Sequence, residues 1–145
     1  MSKKAKKRFG QHFLHEKGII DRILASANIR REDKILEIGP GLGALTSHLV
    51  RKEIELQFVE LDRDMVQHIQ EPWPDVSLHE GDACHVSWPE LLSGSGWKCV
   101  SNLPYNVGTC IVTDLITCPQ RFSSLTVMVQ LEVAQRMVAK VGERK

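Results

Sequence analysis

The 145-residue sequence has no apolar run near the roughly 20 residues that a membrane-spanning helix needs, so no membrane partner is expected. Its four cysteines, Cys84, Cys99, Cys110 and Cys118, form no CxxC pair, and no signal-peptide core opens the chain. Reduced thiols and a cytoplasmic location are therefore expected. His79, Cys84 and His85 match no structural zinc spacing, and no metal is expected. An excess of one charge is missing too: 19 Lys and Arg face 18 Asp and Glu, a balance that by itself points neither to a nucleic-acid binder nor to an acidic solubilising protein. There is no internal repeat, and SGSG at 93–96 reads as a loop rather than a linker. The length suits a single domain over residues 1–145.

What the totals hide, the distribution reveals. Residues 1–34 carry ten basic and four acidic groups, residues 35–118 four and twelve, and residues 119–145 five and two. Basic ends around an acidic middle suit a central site for a cationic or polar small molecule and a rim for an anionic polymer. The basic arm at 1–15, with KKAKKR, is equally compatible with a solvated tail.

Apolar residues Ile19, Ile20, Ile23, Leu24 and Ala27 predict an amphipathic helix over about 16–28. Strands are then predicted at KILEIG, ELQFVELD, VSLHEGDA, WKCVSNLPY and SLTVMVQ. Helices are predicted at ALTSHLVRK, DRDMVQHIQE, 108–118 and LEVAQRMVAK. Strands alternating with helices imply parallel strands joined by right-handed crossovers, an α/β doubly wound, Rossmann-like sheet with helices on both faces. Ligands in such sheets bind beyond the carboxyl ends of the strands, where EIGPGLG, VELD, EGDA, SNLPY and MVQLE all fall.

In EIGPGLGA, Gly39, Gly41 and Gly43 form a GxGxG loop, where missing β-carbons let backbone approach a ligand. Gly39, Gly41 and Ala44 also satisfy GxGxxA, and Glu60 lies 21 residues after Gly39, so a nicotinamide-dependent oxidoreductase competes. Pro40 offers no N–H to a pyrophosphate, and the Glu37 carboxylate is expected to repel one. A ligand without phosphates and with positive charge, such as S-adenosyl-L-methionine, is favoured instead. Glu60 can accept from both ribose hydroxyls, and Asp82 from the exocyclic amine of a cofactor adenine, with Ala83 leaving room for the ring. The plainer alternatives are a surface acid at Glu60 and a turn cap at Asp82.

The stretch SNLPYN at 101–106 fits the activation of an amine. An amine on a purine or cytosine is a poor nucleophile because its lone pair is delocalised into the ring. Asn102 through its side-chain oxygen, and a backbone carbonyl at Leu103 or Pro104, could accept from its two N–H bonds and free that pair. Pro104 stiffens the loop, and Tyr105 provides a face for a flipped base, worth roughly 1 to 3 kcal/mol. Methyl transfer at a sulfonium needs alignment more than a strong base, so no catalytic base is expected. The plainer reading is a structural turn with Asn capping and Tyr packing.

The order FGQHFL (9–14), EIGPGLG, VELD, GDA, NLPY and QLEVAQR (130–136) resembles the ribosomal RNA adenine dimethyltransferase family, specifically the bacterial small-subunit type, across nearly the whole chain. The resemblance implies dimethylation of the N6 amines of two adjacent adenines in a hairpin of small-subunit rRNA, on an immature small ribosomal subunit. It also implies a role in ribosome maturation and a monomeric enzyme. It places His12 and Leu14 in the cofactor pocket with Gly39, Glu60, Asp82 and Asn102, puts Phe13 near the target base, and has Asn102, Leu103, Pro104 and Tyr105 hold the target adenine. His12 is a familiar variant of the family's usual Asn, whereas Leu131 stands where the family usually has Lys. Family members continue through two further strands and a small helical domain, so a truncated chain is expected, with an apolar edge at SLTVMVQ. Two rivals share much of this reading. One is the large-subunit, macrolide-resistance type of enzyme, and the other is a non-catalytic module that keeps the cofactor or RNA surface.

Overall fold

The computed structural model describes residues 17–118 and 121–139. Five parallel strands form one sheet: β1 (Lys34–Ile38), β2 (Glu55–Glu60), β3 (Ser77–Glu80), β4 (Trp97–Asn102) and β5 (Phe122–Met128). Their order is β3-β2-β1-β4-β5, so the chain reverses direction across the sheet between β1 and β4. That switch point, at the carboxyl ends of the strands, is where an open α/β sheet leaves a crevice for a ligand.

The central strands β1 and β4 are buried on both faces because helices cover both. One face, with Leu36, Ile38, Cys99 and Leu103, packs on α5 (Gly108–Ile116) and on Trp88 of α4 (Trp88–Leu91). Trp88 meets Phe122 edge-on at 6.1 Å. The opposite face, with Ile35 and Val100, packs on α1 (Lys17–Ala27) and α2 (Thr46–Leu49). Ile20, Ile23 and Ala27 recur every three or four residues, which places them on one stripe of α1 against the sheet. The remaining helices, α3 (Arg63–Gln70) and α6 (Leu131–Met137), follow β2 and β5 directly.

Three features differ from the sequence expectation. The helix after the glycine loop is a single turn, because the chain must turn at 50–53 to enter β2 at Glu55. A 3-10 turn at Ala83–His85 and the one-turn α4 have no counterpart in the pattern reading, since elements this short carry no measurable periodicity. As expected, β5 lies at a sheet edge among the described residues, with Leu125 to Met128 only half-buried. No helix among the described residues is long and apolar enough to cross a membrane.

Candidate functional site

The glycine loop leaves β1 in left-handed backbone, with φ of +66° at Gly39, +58° at Gly41 and +86° at Gly43. L-residues rarely adopt this region, and Gly43 is crowded as well. A β-carbon on Gly39 would stand 3.4 Å from the Pro104 ring, and one on Gly43 would stand 2.8 Å from the Trp73 indole. Gly39 thus lies beside the NLPY loop, while at Gly43 the missing side chain makes room for Trp73.

Two acids fasten the glycine loop. Glu60, at the tip of β2, is buried, and one of its carboxylate oxygens accepts from the Gly41 N–H at 3.0 Å while the other accepts from the Asp62 N–H at 3.2 Å. Burial raises its pKa, and the backbone N–H groups of Asp62 and Gly41 oppose that rise. Glu60 thus faces the glycine loop and is not the surface acid of the plainer reading. Gly41 contributes through this bond and does not line the cavity itself.

Glu37 corrects an expectation. It does not line the ligand cavity as a charged repeller of pyrophosphate; it is fully buried under the loop and accepts from the Thr46 hydroxyl at 2.5 Å. Burial pushes its pKa up to about 8, so the group is mostly neutral at pH 7. Its β1 position puts it on the α2 face, where an ionised carboxylate would be desolvated.

Beyond the strand tips lies a cavity of about 160 Å³. Gly39, Glu60 and Asp82 supply its polar wall, while Ile38, Val59 and Ile111 supply apolar area suited to a ring. Asp82 serves two ends at once. One oxygen accepts from the Cys84 N–H at 2.9 Å, capping the 3-10 turn, while its carboxylate stays partly open at the cavity. Ala83 is buried beside it and leaves the volume free that a larger side chain would fill.

The NLPY loop separates this cavity from a second, larger one. Pro104 lines the first, Asn102 and Leu103 line the second, and half-buried Tyr105 lines both. The second cavity measures about 500 Å³, is open to solvent on one side, and is also lined by Ile19 of α1 and by residues 128–132. The loop is held in place by a bond from the Leu103 N–H to the Met128 carbonyl at 3.0 Å, and it ends at Asn106 with φ +68°. Asn tolerates the left-handed turn better than other residues with a β-carbon, which accounts for the second Asn of SNLPYN. Asn102 is itself buried. His12, Phe13 and Leu14 lie outside the described residues.

Pattern reading missed Thr46 and Ser101. The Ser101 hydroxyl accepts from the Ile38 N–H at 2.8 Å, tying the end of β1 to β4 beneath both loops. Thr46 belongs to no motif and Ser101 had no role within SNLPYN, so only the folded arrangement of β1, β4 and α2 discloses them.

The model of the family described as Ribosomal RNA adenine dimethylase matches residues 2–145. A ribosomal RNA small subunit methyltransferase A from Syntrophotalea carbinolica is 41% identical over 145 residues, covering 99% of this chain and 55% of that protein. The protein of the same name from Pseudomonas putida is 43% identical over 143 residues, 96% of this chain and 54% of that one. The chain therefore spans about half the length of these curated relatives. Among solved structures, a dimethyladenosine transferase from Plasmodium falciparum superposes with a TM-score of 0.73 at 28% identity, over 88% of this chain and 46% of that one. The 23S rRNA methyltransferase ErmE, at 24% identity and a TM-score of 0.73 over 90% of this chain and 53% of its own, shares the fold.

Proposed function

The chain belongs to the ribosomal RNA adenine dimethylase family, and from that premise we propose that it is the cofactor-binding part of an enzyme that dimethylates the N6 amines of two adjacent adenines in small-subunit rRNA. The observation that carries the reading is the convergence of Gly39, Glu60 and Asp82 on one cavity that Pro104 and Tyr105 also line.

S-adenosyl-L-methionine, when bound, supplies a methyl group already activated on a sulfonium. The residues present fit it. Glu60 offers acceptor oxygens for ribose hydroxyls, Asp82 keeps an oxygen partly open for an adenine amine, and Ile38, Val59 and Ile111 provide apolar contact for the ring. The cavity of about 160 Å³ suits the adenosine end. His12 and Leu14 belong to the same proposed cofactor site.

The target adenine belongs on the other side of the NLPY loop. Asn102 and a carbonyl at Leu103 or Pro104 accept from the amine, drawing it toward tetrahedral geometry, while Tyr105 stacks on the base at the boundary of the two cavities. The proton released on methylation passes to solvent. The RNA partner is an immature small ribosomal subunit, the protein acts as a monomer, and its location is cytoplasmic; the basic segments at 1–34 and 119–145 support the RNA assignment through phosphate attraction.

The experiment is methyl transfer from labelled S-adenosyl-L-methionine to immature small subunits, with mapping of the modified adenines. Asn102→Ala is expected to lower incorporation at least a hundredfold, a loss of about 3 kcal/mol of transition-state stabilisation, while cofactor binding by calorimetry changes far less. Equal incorporation by wild type and variant would remove Asn102 from its role, and label on large-subunit rRNA would replace the substrate.

A further inference from the structure

The 500 Å³ chamber behind the NLPY loop carries more chemistry than holding an amine requires. Asn102 and a backbone carbonyl already account for the two N–H bonds of the target amine, and Tyr105 for its ring face. The polar atoms of an adenine that then remain beside the amine are ring nitrogens N7 and N1, both acceptors, and each needs a donor.

The chamber lining narrows the choice of that donor. Asn102 and Tyr105, the other donors of the lining, are already assigned to the amine and to the ring face. Ile19, Leu103, Met128, Val129 and Leu131 are apolar, and Glu132 is an exposed acid whose ionised carboxylate only accepts. Gln130 is half-buried in the lining and carries a neutral amide with two N–H donors. It precedes α6, yet its side chain makes no capping bond. The helix begins instead on its carbonyl, which accepts from the Val133 and Ala134 N–H groups at 3.0 Å each. The backbone of Gln130 is therefore fixed by α6 and by the end of β5, while its amide is not consumed by the local fold.

We propose that Gln130 is a specificity-determining residue of the base chamber, its amide N–H donating to a ring nitrogen that flanks the amine of the extruded adenine. The assignment rests on the methyltransferase reading above and adds to it the residue that identifies the base. Side-chain amides recognise adenine through the edge that carries the amine and N7, and a well-placed pair of this kind is worth about 1 to 3 kcal/mol of discrimination. A residue in this position does not donate to the reacting amine, so it selects the base without quenching the nucleophile.

The test measures binding of an rRNA hairpin with two adjacent adenines, in saturating S-adenosylhomocysteine, against the same hairpin carrying 7-deazaadenine or 1-deazaadenine at the target position. Wild type should prefer adenine over one of the two analogues by about tenfold, and the analogue that loses affinity names the ring nitrogen. Gln130→Ala should abolish that preference. Gln130→Glu sets an acceptor against an acceptor, so it should bind the adenine hairpin more weakly than Gln130→Ala and recover on the analogue that bears C–H. Wild type that binds the hairpin with no preference, or a Gln130→Ala variant that keeps it, overturns this proposal and leaves the functional reading in place. A wild type that binds neither cofactor nor hairpin overturns both.

Discussion

Two glutamates in adjacent strands show how position, more than residue type, sets the role of a carboxyl group. Glu37 sits one residue before the end of β1, buried against Thr46, with its pKa raised by burial from the ordinary 4.5 to about 8. The folded protein therefore holds this proton at pH values where the unfolded chain has released it. Its contribution to stability is complete below about pH 4.5 and is lost progressively as pH climbs toward 8, with a slope of at most about 1.4 kcal/mol per pH unit. Glu37→Gln cannot ionise and keeps an acceptor for Thr46. Thermal melts at pH 5 and pH 8 should show the wild type losing stability across the interval and the variant losing much less; parallel losses would contradict a buried, neutral Glu37. Glu60 lies at the carboxyl tip of β2, where both oxygens accept from backbone N–H groups. Glu60→Ala should leave the Gly41 and Asp62 N–H groups unpaired and cost about 2 to 4 kcal/mol in a urea titration, together with cofactor affinity. Glu60→Gln, which keeps an acceptor oxygen, should cost less stability. The acidic type of both residues was plain in the sequence. The place of Glu60 at the strand-end cavity was legible there too, but that Glu37 is a buried strut was not, because the alternation of β1 against two helical layers turns its carboxyl under the loop.

At the scale of elements, the loops that join strand to helix carry the site and the helices hold them. The glycine loop is the tightest of these joints. Gly43 combines φ of +86° with the Trp73 indole 2.8 Å from where a β-carbon would stand, and Ile69 of α3 lies 3.3 Å from the same point. Gly43→Ala should therefore destabilise the protein by about 2 to 4 kcal/mol, from strained backbone and overpacking together, and should alter the Trp73 fluorescence. An unchanged urea midpoint would mean that Trp73 moves aside freely. The GxGxG spacing announced a close backbone approach, but what approaches at Gly43 is a tryptophan thirty residues away in sequence. Elements with strong period, such as α1 and β2, lay within a residue or two of their expected bounds. The short α4 and the 3-10 turn after Asp82 escaped because four or fewer residues complete barely a turn. The Asp82 turn shows a different limit: cap and ligand group were read as alternatives, and the structure shows the cap on one oxygen while the residue also lines the cavity, its other oxygen 3.7 Å from His85 Nε2.

Across the whole molecule, the sheet has one edge at β5 among the described residues, and the adjoining segment exposes Leu131, Met137 and Val138 at 71%, 43% and 77%. An edge strand beside exposed apolar side chains favours association. Val138→Lys and Met137→Lys together should reduce concentration-dependent light scattering with little change in melting temperature; scattering that persists would shift attention to other surfaces. The sequence by itself determined the α/β class, the parallel sheet, the strand ends as the place for a ligand, and the residue types available there, because periodicity and glycine spacing are local properties of the chain. Only the tertiary structure decided which of those residues share a cavity. Strand order brings β1 beside β4, though some sixty residues separate them, and so lays the glycine loop against Pro104, divides two cavities at Tyr105, hides Glu37 and brings Gln130 into the chamber with Asn102. Such juxtapositions depend on which long-range pairings bury the most apolar area at once, a property of the complete fold that no local pattern contains.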